Sequence, residues 1–312
     1  MKGNLGFGCV RLSSNFTRKQ ALQNLEVAYD SGINHFDVAP LYGFGLAEGM
    51  LGDFAKNKRS SVTIATKFGI APANGALKNL LLQNILRTAY RVVKKSRLKK
   101  STVNLAAATK TATDFSIANA EQSLQKSLRE LKTDYVDFLH LHEATVREAN
   151  QPELIDFLEK KKKSGMIKAY GIASFSGALG DFSTLNAKHE VLQTDNSFPF
   201  PLPTQLLEGE KHRFYFSPFL HLPAVKELLK SDAALAAALS EKMGFDVKRF
   251  LTDLFLMHHI QTDPSGTVLF TSSKNDKIVD TMKSWNRAKS MPSSYYENLP
   301  EVSSILIEKL KR

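Results

Sequence analysis

The sequence predicts an α/β fold, a (β/α)8 TIM barrel with long loops at its C-terminal face. Eight short apolar runs of strand character alternate with amphipathic runs of helical period, the pattern of parallel strands joined by helices. No G-x-G-x-x-G follows the first run, which offers only Gly6-Phe7-Gly8, so a doubly wound dinucleotide-binding sheet is the poorer reading. The 312 residues, 43% of them hydrophobic, suffice for one barrel with a large core.

The strands are expected at Leu5–Gly8, Ile33–Asp37, Val62–Lys67, Tyr135–His142, Lys168–Ser174, Glu190–Thr194, Arg213–Ser217 and Thr267–Thr271. The first carries the weakest signal, because two glycines interrupt it. Between the first two, Thr17 and Gln20 form a capping-box pattern ahead of Leu22, Leu25 and Ala28. Ala120, Leu124, Leu128 and Leu131 recur at helical spacing before the fourth strand. Pro152 suits a first helical turn and precedes Leu154, Phe157 and Leu158. Val247, Phe250, Leu251, Leu254, Phe255 and His258 make a further apolar stripe, and Ile278, Met282 and Trp285 follow the last strand. Three stretches, about 69–113, 218–245 and 286–312, depart from the repeat. Insertions in a barrel usually sit on the loops after strands, where sites are built. No linker or low-complexity tract appears, so residues 1–312 read as one domain.

The net charge of +11 belongs to one segment. Residues 54–113 hold 13 Lys and Arg and no Asp or Glu, whereas the rest of the chain has 29 basic and 31 acidic residues. In this segment Leu80, Leu81, Leu82, Ile85, Leu86, Tyr90, Val92 and Val93 alternate with Arg87, Arg91, Lys94, Lys95, Arg97, Lys99 and Lys100. An active-site flap or oligomer contact with a solvated basic face is one reading; a helix that binds a membrane surface or polyanion is the other. The bulk of the surface is not basic, so specific nucleic-acid binding is not expected. One cysteine, Cys9, excludes an internal disulfide and multi-cysteine zinc or iron–sulfur sites, and no metal site is expected. No apolar run reaches the length of a membrane span and no signal stretch opens the chain, which fits a cytoplasmic protein.

Polar residues at C-terminal strand ends converge on one mouth in a barrel. Here they are Asp37, Lys67, His142, Ser174, Gln193, Ser217 and Ser272. Tyr42 lies five residues past Asp37 in a Pro- and Gly-containing loop, which can turn it over that mouth. A phenol titrates near pH 10. A neighbouring ammonium favours phenolate and lowers that value, and a carboxylate can hold the ammonium in place. Tyr42, Lys67 and Asp37 supply these three types, with His142 available to hydrogen-bond a substrate oxygen.

These residues carry a resemblance. Phe36-Asp37-Val38-Ala39-Pro40-Leu41-Tyr42-Gly43, followed by Glu48 and Leu51-Gly52, resembles the aldo-keto reductase signature. Ile64-Ala65-Thr66-Lys67 is similar to that family's lysine strand, and Asp134-Tyr135-Val136-Asp137-Phe138-Leu139-His140-Leu141-His142 to its histidine strand, with His142 in the catalytic register. Gly165 to Ile172 resembles the strand leading to the nicotinamide. The Ala-Pro-Leu-Tyr-Gly run is closest to the sugar 1-dehydrogenase branch. The resemblance implies an oxidoreductase that interconverts a carbonyl or aldose with an alcohol or lactone, with Tyr42 as general acid and base. It also implies bound NADP, or NAD, and a small carbonyl or sugar substrate. Ser174 and Gln193 would hold the carboxamide, Phe216 would stack on the nicotinamide, and Ser217 and Phe219 would flank the pyrophosphate. Ser272, Ser273, Lys274 and Lys277 would face the adenosine phosphate, and Asp280 the adenine. Two positions depart from the family pattern: Ala173-Ser174 stands where Ser-Asn is common, and Thr271 where many members have Lys. The competing reading is a cofactor-binding regulator on the same fold, without turnover. Pocket-lining residues are expected from the long loops, among them Phe198, Phe200, Trp285, Tyr295 and Tyr296.

Overall fold

The computed structural model describes residues 4–14, 17–70, 113–209 and 211–311. The apolar and basic residues singled out between 71 and 112 therefore lie outside the described residues. Eight strands, β1 (Asn4–Gly8), β2 (His35–Asp37), β3 (Thr63–Phe68), β4 (Val136–His142), β5 (Ile167–Ala173), β6 (Val191–Asp195), β7 (His212–Phe216) and β8 (Thr267–Phe270), pair in chain order. Every pairing is parallel, and β8 returns to β1 to close the barrel. All eight expected runs are strands, with ends displaced by one or two residues.

The weak first strand forms because its glycine is needed. A Cβ on Gly6 would stand 2.7 Å from a methyl of Leu269 and 2.9 Å from the His35 ring, so only glycine fits that interior position. Inside the barrel Ala169, Val191, Phe214 and Leu269 pack with Phe138 and Phe216. His35 stacks on Phe214 at 4.5 Å, and its Nδ1 lies 2.9 Å from the Thr63 hydroxyl. Burial holds the His35 imidazole neutral, pushing it down to about 3 with help from the Lys67 charge.

The larger core lies between the strands and their covering helices. Helix α1 (Arg18–Asp30) starts at Thr17, whose side chain accepts from the Gln20 amide while Gln20 reaches back, the expected capping box. Helices α2 (Ala47–Ala55), α3 (Ile117–Leu131), the short α4 (Val146–Ala149) and α5 (Pro152–Lys163) follow, the last with Pro152 in its first turn. The 218–245 stretch is itself helical, folding into α6 (Leu222–Ser231) and α7 (Ala233–Met243). The stripe expected from Val247 becomes α8 (Leu251–Thr262), with Phe250 at its N-cap. Helix α9 (Asn275–Ser290) runs into the third irregular stretch, which continues as α10 (Ser293–Glu297) and α11 (Leu299–Leu310). Among the described residues no helix is long and apolar enough to cross a membrane.

The chain leaves the barrel after β3 and returns to the same place. The Asp114 amide donates to the Gly69 carbonyl at 2.8 Å.

Candidate active site

A cleft of about 570 Å³ opens at the C-terminal ends of the strands, where the barrel geometry gathers the last residue of each. Asp37 ends β2, Lys67 is the penultimate residue of β3, and His142 ends β4. Tyr42 opens a short 3-10 turn, Tyr42–Gly45, anchored by its own amide on the Ala39 carbonyl at 2.9 Å. All four line the cleft, together with Ser174, Gln193, Phe216, Ser217 and Phe219.

Lys67 is only 2% exposed. Its Nζ donates to Asp37 Oδ2 at 2.5 Å and to the Val38 carbonyl at 3.1 Å, and stands 5.3 Å from the centre of the Tyr42 ring. A buried ammonium needs such partners, since unpaired charge is costly away from water. The His142 ring meets the Tyr42 ring edge-on, with centroids 6.1 Å apart. Burial pushes the Asp37 carboxyl up, against the pull of the Lys67 charge and of hydrogen bonds from Lys67 and Gln193.

The Tyr42 phenol runs opposite to the sequence expectation. It is driven well above its ordinary value by burial, then by the negative charge of Asp37 and, less, of Glu143. The Lys67 charge, paired with Asp37, is outweighed here by burial and the nearby carboxylates. Tyr42 therefore holds its proton at neutral pH and faces the cleft as a donor.

Ser174 is buried; its hydroxyl donates to the Ala144 carbonyl at 2.6 Å, which leaves oxygen lone pairs to accept. Gln193 is 2% exposed, and its Oε1 has no hydrogen-bond partner among the described residues. Phe216 ends β7 and meets Phe175 edge-on at 5.0 Å. Ser217 has φ of 56° and Glu143 has φ of 58°, left-handed backbone that non-glycine residues rarely adopt. Both sit just past a strand end in the cleft wall, the kind of place where such strain collects.

Ser272, Ser273, Lys274, Lys277 and Asp280 are not in that wall. They lie at the entry to α9 and in its first turns, where the Ser272 hydroxyl accepts from the Lys274 amide at 3.0 Å. Lys277 and Asp280, given separate duties by the resemblance, pair with each other at 3.4 Å on the surface. The aromatic residues expected from the long loops do not reach the cleft. Phe198 and Trp285 are buried, Tyr295 packs on Phe245, and the Tyr296 hydroxyl donates to the Ala288 carbonyl. The third irregular stretch and helices α6 and α7 contribute nothing to the lining either. Those helices satisfy their own apolar faces outside the barrel, with α11 against α6.

The wall instead includes Val10, Arg11, Leu41, Glu143, Phe175 and Leu220, which the sequence reading missed. Phe175 and Leu220 are 50% and 58% exposed. Each lies one to four residues beyond a strand end, so proximity to the strand ends was the available signal. The left-handed turn at Glu143 leaves no such trace in sequence.

The model of the Aldo/keto reductase family matches residues 4–193, more than half of the chain. That segment carries Asp37, Tyr42, Lys67, His142, Ser174 and Gln193, but not the positions from Phe216 onward. An uncharacterized oxidoreductase, YqkF, of Bacillus subtilis (strain 168) is 32% identical over 170 residues, 54% of this chain and 44% of that protein. D-threo-aldose 1-dehydrogenase from a Pseudomonas species is 30% identical over 177 residues, 54% of this chain and 49% of that protein. The matched stretch thus spans less than half the length of these relatives. In fold, the chain is similar to an aldo-keto reductase from Bacillus halodurans in its holo form, with a TM-score of 0.68, 21% identity and coverage of 96% and 91%. It is also similar to an aldo-keto reductase from Klebsiella pneumoniae in complex with NADPH, with a TM-score of 0.63, 15% identity and coverage of 97% and 95%.

Proposed function

Because the chain belongs to the aldo/keto reductase family, we propose that it reduces a small aldehyde, ketone or aldose, or runs the reverse oxidation, with NADP(H), and that Tyr42 exchanges the proton. The observation that carries this is the cluster at the cleft floor: Lys67 Nζ 2.5 Å from Asp37 Oδ2, 5.3 Å from the Tyr42 ring centre, with His142 edge-on to that ring.

The residues present fit the cofactor. Among the described residues Gln193 Oε1 and Thr271 Oγ1 are buried in the cleft wall without a partner, and burying such groups is unfavourable unless something completes them. Ser174 and Gln193 would hold the carboxamide, Phe216 would lie on the nicotinamide ring, and Ser217 and Phe219 would flank the pyrophosphate. Ser272, Ser273, Lys274 and Lys277 would face the adenosine 2′-phosphate, which favours NADP over NAD, with Asp280 toward the adenine. When bound, the nicotinamide supplies hydride to the carbonyl carbon. Tyr42, which keeps its proton at neutral pH, gives that proton to the carbonyl oxygen. His142 hydrogen-bonds the same oxygen, and Asp37 keeps the Lys67 ammonium beside the tyrosine, where it steadies the phenolate left behind.

The test is NADPH oxidation by the purified protein against a panel of aldehydes, ketones and aldoses. Tyr42→Phe is expected to lower kcat by about a hundredfold or more while leaving NADPH affinity intact, since the change removes one exchangeable proton and keeps the ring. Unchanged kcat would remove Tyr42 from this role. NADPH binding without turnover of any substrate would indicate a cofactor-binding regulator.

A further inference from the structure

Directly beneath the cleft floor the barrel interior holds imidazole nitrogens of His140 and His35 that nothing in the reaction scheme uses. His140 pairs in register with Lys67 on β3 and Gly171 on β5. It alternates with Phe138 and His142 on β4, so its ring shares the interior face one layer below His142. The residue is fully buried and its ring is tilted against Phe214 at 6.0 Å. The Gln193 side chain lies against both the His140 imidazole and the Asp37 carboxylate. Yet neither His140 nitrogen, nor Gln193 Oε1, nor His35 Nε2 completes a hydrogen bond of good geometry among the described residues. Four such atoms gathered under one ion pair are unusual in a folded interior.

We propose that His140 is a positioning residue: with Gln193 it forms a relay, His140 to Gln193 to Asp37 to Lys67, that sets the Asp37–Lys67 pair beneath Tyr42. An amide has both a donor and an acceptor end. In the relay the Gln193 amide nitrogen is the donor to Asp37, and a small turn of the amide or the ring lets its oxygen accept from His140. That oxygen has a second lone pair, so it can also accept from a carboxamide above. Burial, assisted by the Lys67 charge, keeps His140 neutral, so it contributes one N–H and no charge. This rests on the oxidoreductase reading for its kinetic consequence, not for its geometry.

The experiment compares wild type, His140→Leu and His140→Asn in kcat, KM and the pH profile of kcat/KM. Leu is expected to lower kcat about tenfold with little change in KM, and to move one limb of the profile by about one pH unit. Asn, which keeps a donor, is expected to restore most of both. A Leu variant with wild-type kcat and profile overturns the proposal, because a merely packed imidazole would leave the profile unmoved. A second measurement needs neither turnover nor a folded Leu variant: the ring 15N resonances of His140 in wild type and in Asp37→Asn. They are expected to shift; unmoved resonances overturn the relay. Absence of turnover in the wild type would count against the oxidoreductase reading alone and leave this second measurement decisive.

Discussion

Single side chains in this barrel work chiefly through where they are buried. Asp137 shows it away from the cleft. It accepts from Arg59 and Lys168, each at 2.7 Å, and from the Ile64 amide at 2.9 Å, with its side chain only 5% exposed. Burial pushes its carboxyl up, but the bonds from Lys168 and Ile64 and the Arg59 charge outweigh that and leave it below the usual carboxylate range. An unfolded aspartate titrates near 3.9. The pair's contribution is therefore full above about pH 4 and is lost as pH falls through the lower folded value. Asp137→Asn removes the carboxylate charge facing Arg59 and Lys168 and is expected to cost about 3 kcal/mol in urea unfolding at pH 7, with a smaller difference near pH 2. An equal deficit at both pH values would show that packing, not charge, is responsible.

At the scale of elements, backbone proximity decides what sequence pattern only suggests. Strands β5 and β6 approach so closely at Gly171 that a Cβ there would lie 1.7 Å from the Val191 carbonyl oxygen. Backbone cannot move aside as a side-chain tip can. Gly171→Ala is therefore expected to destabilise by about 4 kcal/mol or more, or to prevent folding, as read from soluble yield and circular dichroism. A variant with wild-type melting behaviour would mean that the two strands can part locally. The helices were easier to read. The Thr17–Gln20 box, Pro152 in a first turn, and the Leu124, Leu128 and Leu131 stripe all appear where their local chemistry placed them. Helix α8 begins later than its apolar stripe. Val247 meets the core from the preceding turn and not from the helix, while Phe250 packs on Phe245 and Arg287, and apolar spacing cannot separate those cases.

At the scale of the molecule, closing the barrel joins residues far apart in the chain into one cleft. Its floor is buried and near-neutral, with Lys67 matched by Asp37. The start of α9, beyond the cleft wall, is exposed and carries Lys274 and Lys277. Lys274→Ala with Lys277→Ala is expected to weaken NADPH binding about tenfold, to leave NADH binding unchanged and to flatten the salt dependence of NADPH affinity. Equal wild-type affinity for the two cofactors would remove these lysines from the 2′-phosphate. The loss should be smaller than for an unpaired lysine, because Lys277 already faces Asp280.

The sequence by itself determined the strand and helix order, and hence the closed parallel barrel, because the periods of 2.0 and 3.6 and the caps are local properties of a chain. It also determined which strand ends bring Asp37, Lys67, His142, Ser174 and Gln193 to the mouth, since that follows from strand direction once the barrel closes. Tertiary structure alone decided the rest. It placed the late aromatic residues outside the cleft and brought Arg11, Glu143, Phe175 and Leu220 into it, because loop direction depends on left-handed turns and packing against distant elements. It also left the Tyr42 proton in place. Whether a paired ammonium is outweighed by burial and nearby carboxylates depends on the surroundings of the phenol, and the 2.5 Å contact between Lys67 and Asp37 is a distance in space that no spacing in the chain encodes.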